Sequence, residues 1–238
     1  MSWQSHSERS KTAFLLALGC CGGVVSAVAF GPRLTAIGVF ESHQDIGITP
    51  RKGSVEYNPS TGEYRVTGGG SNIWASLDAF QFAWKRLSGD FTFTADVQFV
   101  GAGAVAHRKA VLMIRQSLAP DAAYADVALH GDGLTALQYR PSVGAATQEI
   151  RSTLAAARQI RIERRGNRFT IYAAKAGESS TSTGPVTVDL RDPVYVGVGV
   201  CSHAAEVLET AVFSNVRITP GPTRDTRPLT RARSRATT

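Results

Sequence analysis

The stretch that most limits what this chain can fold into runs from Leu87 to Gln116. Within it Phe91, Phe93, Ala95, Val97 and Phe99 alternate with Thr92, Thr94, Asp96 and Gln98. A period of two sustained over nine residues is a strand with one face in a core and the other in water. Beyond a Gly/Ala linker, Ala110 to Gln116 is apolar on both faces except for Arg115, the pattern of a strand covered on both sides. Two neighbouring strands of this kind imply a sandwich of sheets.

The remainder of the chain supplies the other strands. Ser54 to Asn58 and Glu63 to Thr67 flank Asn58-Pro59-Ser60-Thr61-Gly62, which has the residues of a tight turn. Phe80 to Leu87, Ala123 to His130, Leu134 to Arg140, Gln159 to Arg164, Phe169 to Ala174, Val186 to Leu190, Val194 to Ser202 and Ala211 to Ile218 follow, with Gly-rich or polar turns between them. About a dozen strands at this spacing predict one all-β domain. Helix-like composition is confined to Thr153–Ala157 and Ala204–Leu208.

The domain expected from residue 30 to 218 is bracketed by two other segments. Residues 1–29 carry a weakly basic start (Arg9, Lys11), an uncharged apolar run from Ala13 and the small-residue sequence Ala27-Val28-Ala29. These are the parts of a secretory signal, and an uncleaved anchor is the other reading of the same run. Export to the periplasm, cell envelope or exterior is therefore expected. Cys20 sits near a lipoprotein-type box but follows Ala17-Leu18-Gly19, where a bulky residue replaces a small one. With the signal removed only Cys201 is left, so no disulfide framework is expected, and its apolar surroundings predict a buried, inert thiol. Residues 219–238 form a low-complexity tail, expected to be disordered, with Arg224, Arg227, Arg231, Arg233 and Arg235 against Asp225.

Charge placement excludes one function class. Of the formal +7, the tail carries +4 and the N-terminal segment +1, leaving about +2 for the domain. The high isoelectric point belongs to a tail and not to a nucleic-acid-binding surface, so no specific nucleic acid is expected as partner.

With these residues in view the chain resembles a known family. Gly53–Tyr57 with Gly62–Val66, Trp74–Phe82, Leu87–Phe91 with Val111–Ser117, and Val196–Gly199 with Phe213–Ile218 together look like the concanavalin A-like jelly-roll domains of bacterial secreted proteins. The resemblance implies a two-sheet antiparallel jelly-roll sandwich. It also implies functions ranging from lectins to glucanases to accessory domains attached to TolB-type propellers. Fold alone does not choose among these.

Signatures of catalysis are missing. Glycoside hydrolysis normally uses two carboxylates facing one cleft, and the Glu-x-Asp-x-x-Glu strand of laminarinase-type jelly rolls does not occur. The nearest pair, Glu206 and Glu209, falls in a segment expected to be a solvated turn. Gly101-Ala102-Gly103-Ala104-Val105-Ala106 mimics a dinucleotide fingerprint but leads into a strand, not a helix. The five histidines are dispersed along the chain and are not expected to cluster into a zinc site. No catalytic residue, metal ligand or cofactor is assigned. Asp132, between Gly131 and Gly133, is the one candidate for a structural calcium, with turn formation as its ordinary role.

The expected function is therefore recognition of a polysaccharide or glycan by an exported, non-catalytic domain. A hydrolase with an unrecognised carboxylate site and an envelope protein-interaction domain are the alternatives. A membrane would be met only through an uncleaved N-terminus. Sugars are held by aromatic faces and planar polar side chains, which makes Trp74, Asp78, Trp84, Arg115, Gln138, Tyr139 and Arg140 the candidate ligand-binding residues. Trp84 shares its face with Phe80 and Phe82, a core pattern. Arg115, in an apolar strand, must either line a polar site or pair with an acid such as Asp78 or Asp96.

Overall fold

The structure, a computed structural model, describes residues 37–221. The expected signal segment and the tail beyond Gly221 lie outside the described residues. Seventeen strands and no helix are present among those described: β1 (Ser42–Ile46), β2 (Ser54–Asn58), β3 (Glu63–Gly68), β4 (Ile73–Trp74), β5 (Leu77–Asp78), β6 (Phe80–Leu87), β7 (Phe91–Phe99), β8 (Lys109–Arg115), β9 (Tyr124–His130), β10 (Thr135–Arg140), β11 (Gln148–Arg151), β12 (Gln159–Arg165), β13 (Arg168–Ala174), β14 (Thr181–Ser182), β15 (Val186–Thr187), β16 (Val194–Cys201) and β17 (Glu209–Pro220).

They form an antiparallel jelly-roll sandwich. One sheet has seven strands in the order β1-β6-β16-β8-β9-β10-β11. The other has the order β14-β13-β12-β7-β17-β3-β2, with β15 beside β13. The two successive strands that announce the fold, β7 and β8, do not pair. They lie in opposite sheets, and the 100–108 loop carries the chain from one to the other. The alternating strand β7 buries Phe91, Phe93, Ala95 and Val97 between the sheets, against Ala110, Leu112 and Ile114 of β8 and Val194 to Val200 of β16.

β8 is buried along its whole length, as its two apolar faces require. Its second face, with Val111 and Met113, meets a separate apolar cluster of Ile46, Ile73, Phe80, Phe82, Tyr124, Ala128 and Cys201. This cluster lies on the outer side of the seven-stranded sheet, beneath the 70–79 segment that contains the β4–β5 hairpin. Two details make room for it. A Cβ on Gly199 of β16 would sit 2.7 Å from the Phe80 ring, and Gly70, at φ 106, lets the chain turn within 2.0 Å of Ala79 O for any added Cβ.

Two expectations about chain ends are corrected. β17 continues to Pro220 beside Phe91, so Thr219 and Pro220 are strand and not tail. Glu209 is the first residue of that strand and is not a solvated turn residue. It is 5% exposed and accepts a 2.6 Å bond from Arg108 Nη1. That pair ties the 100–108 loop to β17, since Glu209 also accepts from Ala104 N.

Candidate functional site

The antiparallel register determines which side chains share the outer face of the seven-stranded sheet. Arg115, Tyr124 and Arg140 form one row across β8, β9 and β10. Met113, Asp126, Gln138 and Glu149 form the next, extended by β11. At the far end Lys109 faces His130. The hairpin covers the first row, and the Gln138–Glu149 end of the second row opens with the far end into a pocket.

Under the hairpin lies an ionic cluster. Asp78 points inward from β5; its carboxylate takes a 2.6 Å bond from Arg140 Nη2, a 2.9 Å bond from Arg140 Nη1 and a 3.3 Å bond from Arg115 Nη2. All three side chains are sealed from solvent. Further guanidinium donors go to main-chain carbonyls, Arg115 to Ser117 and Ala119 and Arg140 to Ala75, Ala145, Pro120 and Ala122, while Arg115 Nη1 meets only the Met113 sulfur at 3.6 Å and Arg140 Nη2 also reaches Thr147 Oγ1. Burial pushes the Asp78 carboxyl up, against the pull of Arg140 and Arg115. A group this costly to desolvate persists because its charges are paired with one another and most of its donors meet oxygen acceptors. Asp78, Arg115 and Arg140 thus hold three loops onto the sheet, and no open space reaches them.

The open end is a pocket of about 230 Å³, lined by Asn72, Trp74, His107, Lys109, His130, Leu134, Gln138, Glu149, Arg151 and His203. Trp74 points outward from the hairpin, 36% exposed, with its ring 5.2 Å from the Lys109 ammonium. Lys109 is itself buried and donates to Asn72 Oδ1 (2.9 Å), Ile73 O (2.8 Å) and Gln138 Oε1 (3.2 Å).

Those bonds set the polarity of the rest. An ammonium only donates, so both amides must turn their oxygens toward it and their NH₂ groups away. Gln138 Nε2 then donates to Glu149 Oε2 at 2.9 Å, and Asn72 Nδ2 donates to His203 Nε2 at 3.1 Å. Arg151 Nε donates to the other Glu149 oxygen at 2.7 Å. Partial burial raises the Glu149 pKa, but the bonds from Arg151 and Gln138 outweigh it and hold the carboxyl below its ordinary value. Glu149 is an ionised acceptor.

His130 donates from Nδ1 to Leu134 O at 3.1 Å, which leaves Nε2 as an acceptor. Burial, with the Lys109 charge second, lowers its pKa to about 4, so the ring is neutral at pH 7.

Three histidines therefore do meet, contrary to the expectation from their spacing. The His107 ring lies 5.8 Å from both the His130 and the His203 rings. The reason is topological: β8, β9 and β16 all present the same end here, and His107 and His203 sit just outside strand termini. They do not form a zinc site, because His203 Nε2 is already occupied by Asn72. Among the described residues no three His, Cys, Asp or Glu side chains converge as metal ligands. Asp132 Oδ1 accepts from Leu134 N at 3.0 Å, the bond of a turn-forming Asp.

Of the seven residues singled out from sequence, Trp74 and Gln138 line this pocket. Asp78, Arg115 and Arg140 lie beneath the hairpin. Trp84 packs edge-on to Tyr195, at 4.9 Å between centroids, further along the same face. Tyr139 packs against the core between the sheets and donates to Gln148 Oε1. Lys109, His130, Glu149 and Arg151 line the pocket too and are not among the seven, although Glu149 is one of the carboxylates the hydrolase alternative would use. Lys109 begins β8 and His130 ends β9, strands whose parity is legible, whereas Glu149 and Arg151 stand on β11, which carries no strand pattern.

No family model and no curated protein matches the chain. Solved structures do. A functionally unknown protein from Saccharomyces cerevisiae aligns with a TM-score of 0.57 at 15% identity, covering 76% of this chain and 98% of that one. A GH43 protein from Bacillus licheniformis aligns with a TM-score of 0.51 at 10% identity over 75% of this chain. The match spans only 39% of the GH43 chain. The carbohydrate-binding module CBM66 from Bacillus subtilis gives 0.48 at 16% identity, covering 78% and 99%. These likenesses are of fold. The first two agree with the two-sheet antiparallel jelly-roll sandwich seen in the sheet topology.

Proposed function

We propose that this is an exported carbohydrate-binding domain whose Trp74 pocket holds one sugar unit of a glycan without cleaving it. The observation that carries the reading is the pairing, at one open end of a jelly-roll sheet, of an exposed indole with a fixed set of planar polar groups. The indole offers a face to the C–H side of a sugar ring. Glu149 and His130 Nε2 accept from hydroxyls, and the exposed guanidinium of Arg151 donates to them. At about 230 Å³ the space lies below the roughly 300–1,000 Å³ that suits drug-sized ligands, as a site for a single ring would.

Binding is favoured over hydrolysis because the pocket is lined by one carboxylate, Glu149. A hydrolase needs a second, protonated one. The next acid in the row, Asp126, has its pKa pushed well up by burial but is wholly enclosed behind Gln138. Asp96 lies on the other sheet.

Affinity electrophoresis against cell-wall, storage and plant polysaccharides, with an assay for released reducing ends, tests the proposal. Retardation without release is expected. Release would make the domain an enzyme. Neither, across the panel, would move the envelope protein-partner reading forward, where the exposed Ile48 and Leu77 (86% and 62%) would be the first residues to examine.

A further inference from the structure

A larger cavity than the Trp74 pocket lies elsewhere. A groove of about 690 Å³ opens on the outer face of the eight-stranded sheet, opposite the face that carries the Trp74 pocket. Its floor is Asp96 and Gln98 of β7, Gln159 of β12 and Val212 and Ser214 of β17; its wall is the 174–178 loop with Lys175 and Glu178. A shallower extension shares Gln159 and Ala174 and reaches Thr94, Arg161 and Tyr172. There the Arg161 guanidinium lies 3.7 Å over the Tyr172 ring, a flat stacked surface at the end of the groove.

The floor is organised around Asp96. Gln159 Nε2 donates to its Oδ1 at 2.9 Å and Asn215 Nδ2 donates to its Oδ2 at 2.7 Å. Asn215 reaches it through a break in the strand. Between Ser214 and Arg217 the register of β17 slips against β7, so Asn215 and Val216 together oppose Ala95. Asn215 takes the left-handed conformation at φ 50 while Val216 packs on the core. A bulge that re-aims one polar side chain onto a carboxylate is a device found beside binding sites. Asp96 has no ion pair, and each of its oxygens retains an acceptor site after taking one amide N–H.

We propose that this groove is a second binding site, for a neutral polyhydroxylated ligand such as an uncharged glycan chain. Two adjacent hydroxyls donate to Asp96, held in place by Gln159 and Asn215, and the chain continues toward the Arg161–Tyr172 stack. Charged side chains balance along the groove and its extension, Glu63, Asp96 and Glu178 against Arg158, Lys175 and Arg161, so nothing there selects a charged sugar. Together with the Trp74 pocket it makes the domain bivalent, with one site on the outer face of each sheet.

The test is amide chemical-shift mapping of the ¹⁵N-labelled protein with xylohexaose, cellohexaose, laminarihexaose and mannohexaose. At least one sugar should produce saturable shifts at Asp96, Gln159, Asn215 and the 174–178 loop. Asp96→Ala should weaken this response about tenfold or more, as loss of charge-assisted bonds does. Asn215→Gly, whose glycine accepts the same φ, should weaken it in a chain whose backbone is undisturbed. Trp74→Ala should leave it intact. Groove amides that none of the four sugars moves would overturn the proposal, as would groove shifts that vanish in Trp74→Ala and survive in Asp96→Ala. A response at the groove with silence around Trp74 would uphold this site while removing the function proposed for the other.

Discussion

Lys109 is the residue on which the Trp74 pocket depends. It binds no ligand, since its three donors are taken by Asn72, Ile73 and Gln138. It instead fixes which end of each amide faces outward. Lys109→Met should therefore abolish glycan retention while costing about 2–4 kcal/mol in urea unfolding, because buried acceptors lose their partner. His130 gives a pH signature. Its folded pKa, about 4, lies below the roughly 6.5 of an unfolded histidine, so the unfolded chain takes up the proton first. The stability held at neutral pH is thus lost as pH falls from about 6.5 through 4, by up to about 3 kcal/mol from this residue. His130→Gln should show a flatter stability profile between pH 7 and 4 than the parent. An equally steep profile in the variant would assign the loss to other groups.

At the scale of elements, the 70–79 segment is a cover over the sheet, held by Asp78. Asp78→Ala would leave Arg115 and Arg140 buried without a counter-charge and should cost about 3–5 kcal/mol. Trp74→Ala, on the outer side of the same hairpin, should cost less than about 1 kcal/mol in the same unfolding measurement. This cover also explains what sequence could and could not tell. The two apolar faces of Ala110 to Gln116 state that something lies on both sides of that strand, and the lone Arg115 states that either a polar site or an acid meets it. Neither states that the acid would come from a two-residue strand. The short strand β11, Gln-Glu-Ile-Arg, has an edge position and largely exposed side chains. It offers no alternation for a core-facing pattern to detect, yet it carries Glu149 and Arg151, which with Lys109 are the Lys, Arg and Glu side chains of the pocket. The histidines converge through strand pairing between distant segments, which spacing along the chain does not encode.

For the whole molecule, the sandwich presents two outer faces of different character. One joins an apolar cluster and a buried ionic cluster under a hairpin and is open at one end; the other is a polar sheet with a groove across it. The Arg-rich residues after Gly221 lie outside the described residues. Removing residues 222–238 should leave retention by a neutral polysaccharide unchanged and should eliminate any salt-sensitive binding to anionic polymers, measured by the same gels at rising salt. A cut at Thr219 would instead remove the end of β17 and confuse the two effects.

The most direct measurement is affinity electrophoresis of the parent protein beside Trp74→Ala and Glu149→Gln, with thermal unfolding of each as a control for folding. A polysaccharide should retard the parent, and its apparent affinity should fall about tenfold or more in each variant while the unfolding temperatures stay close. Retardation of both folded variants to the same extent as the parent would contradict the assignment of the glycan site to the Trp74 pocket.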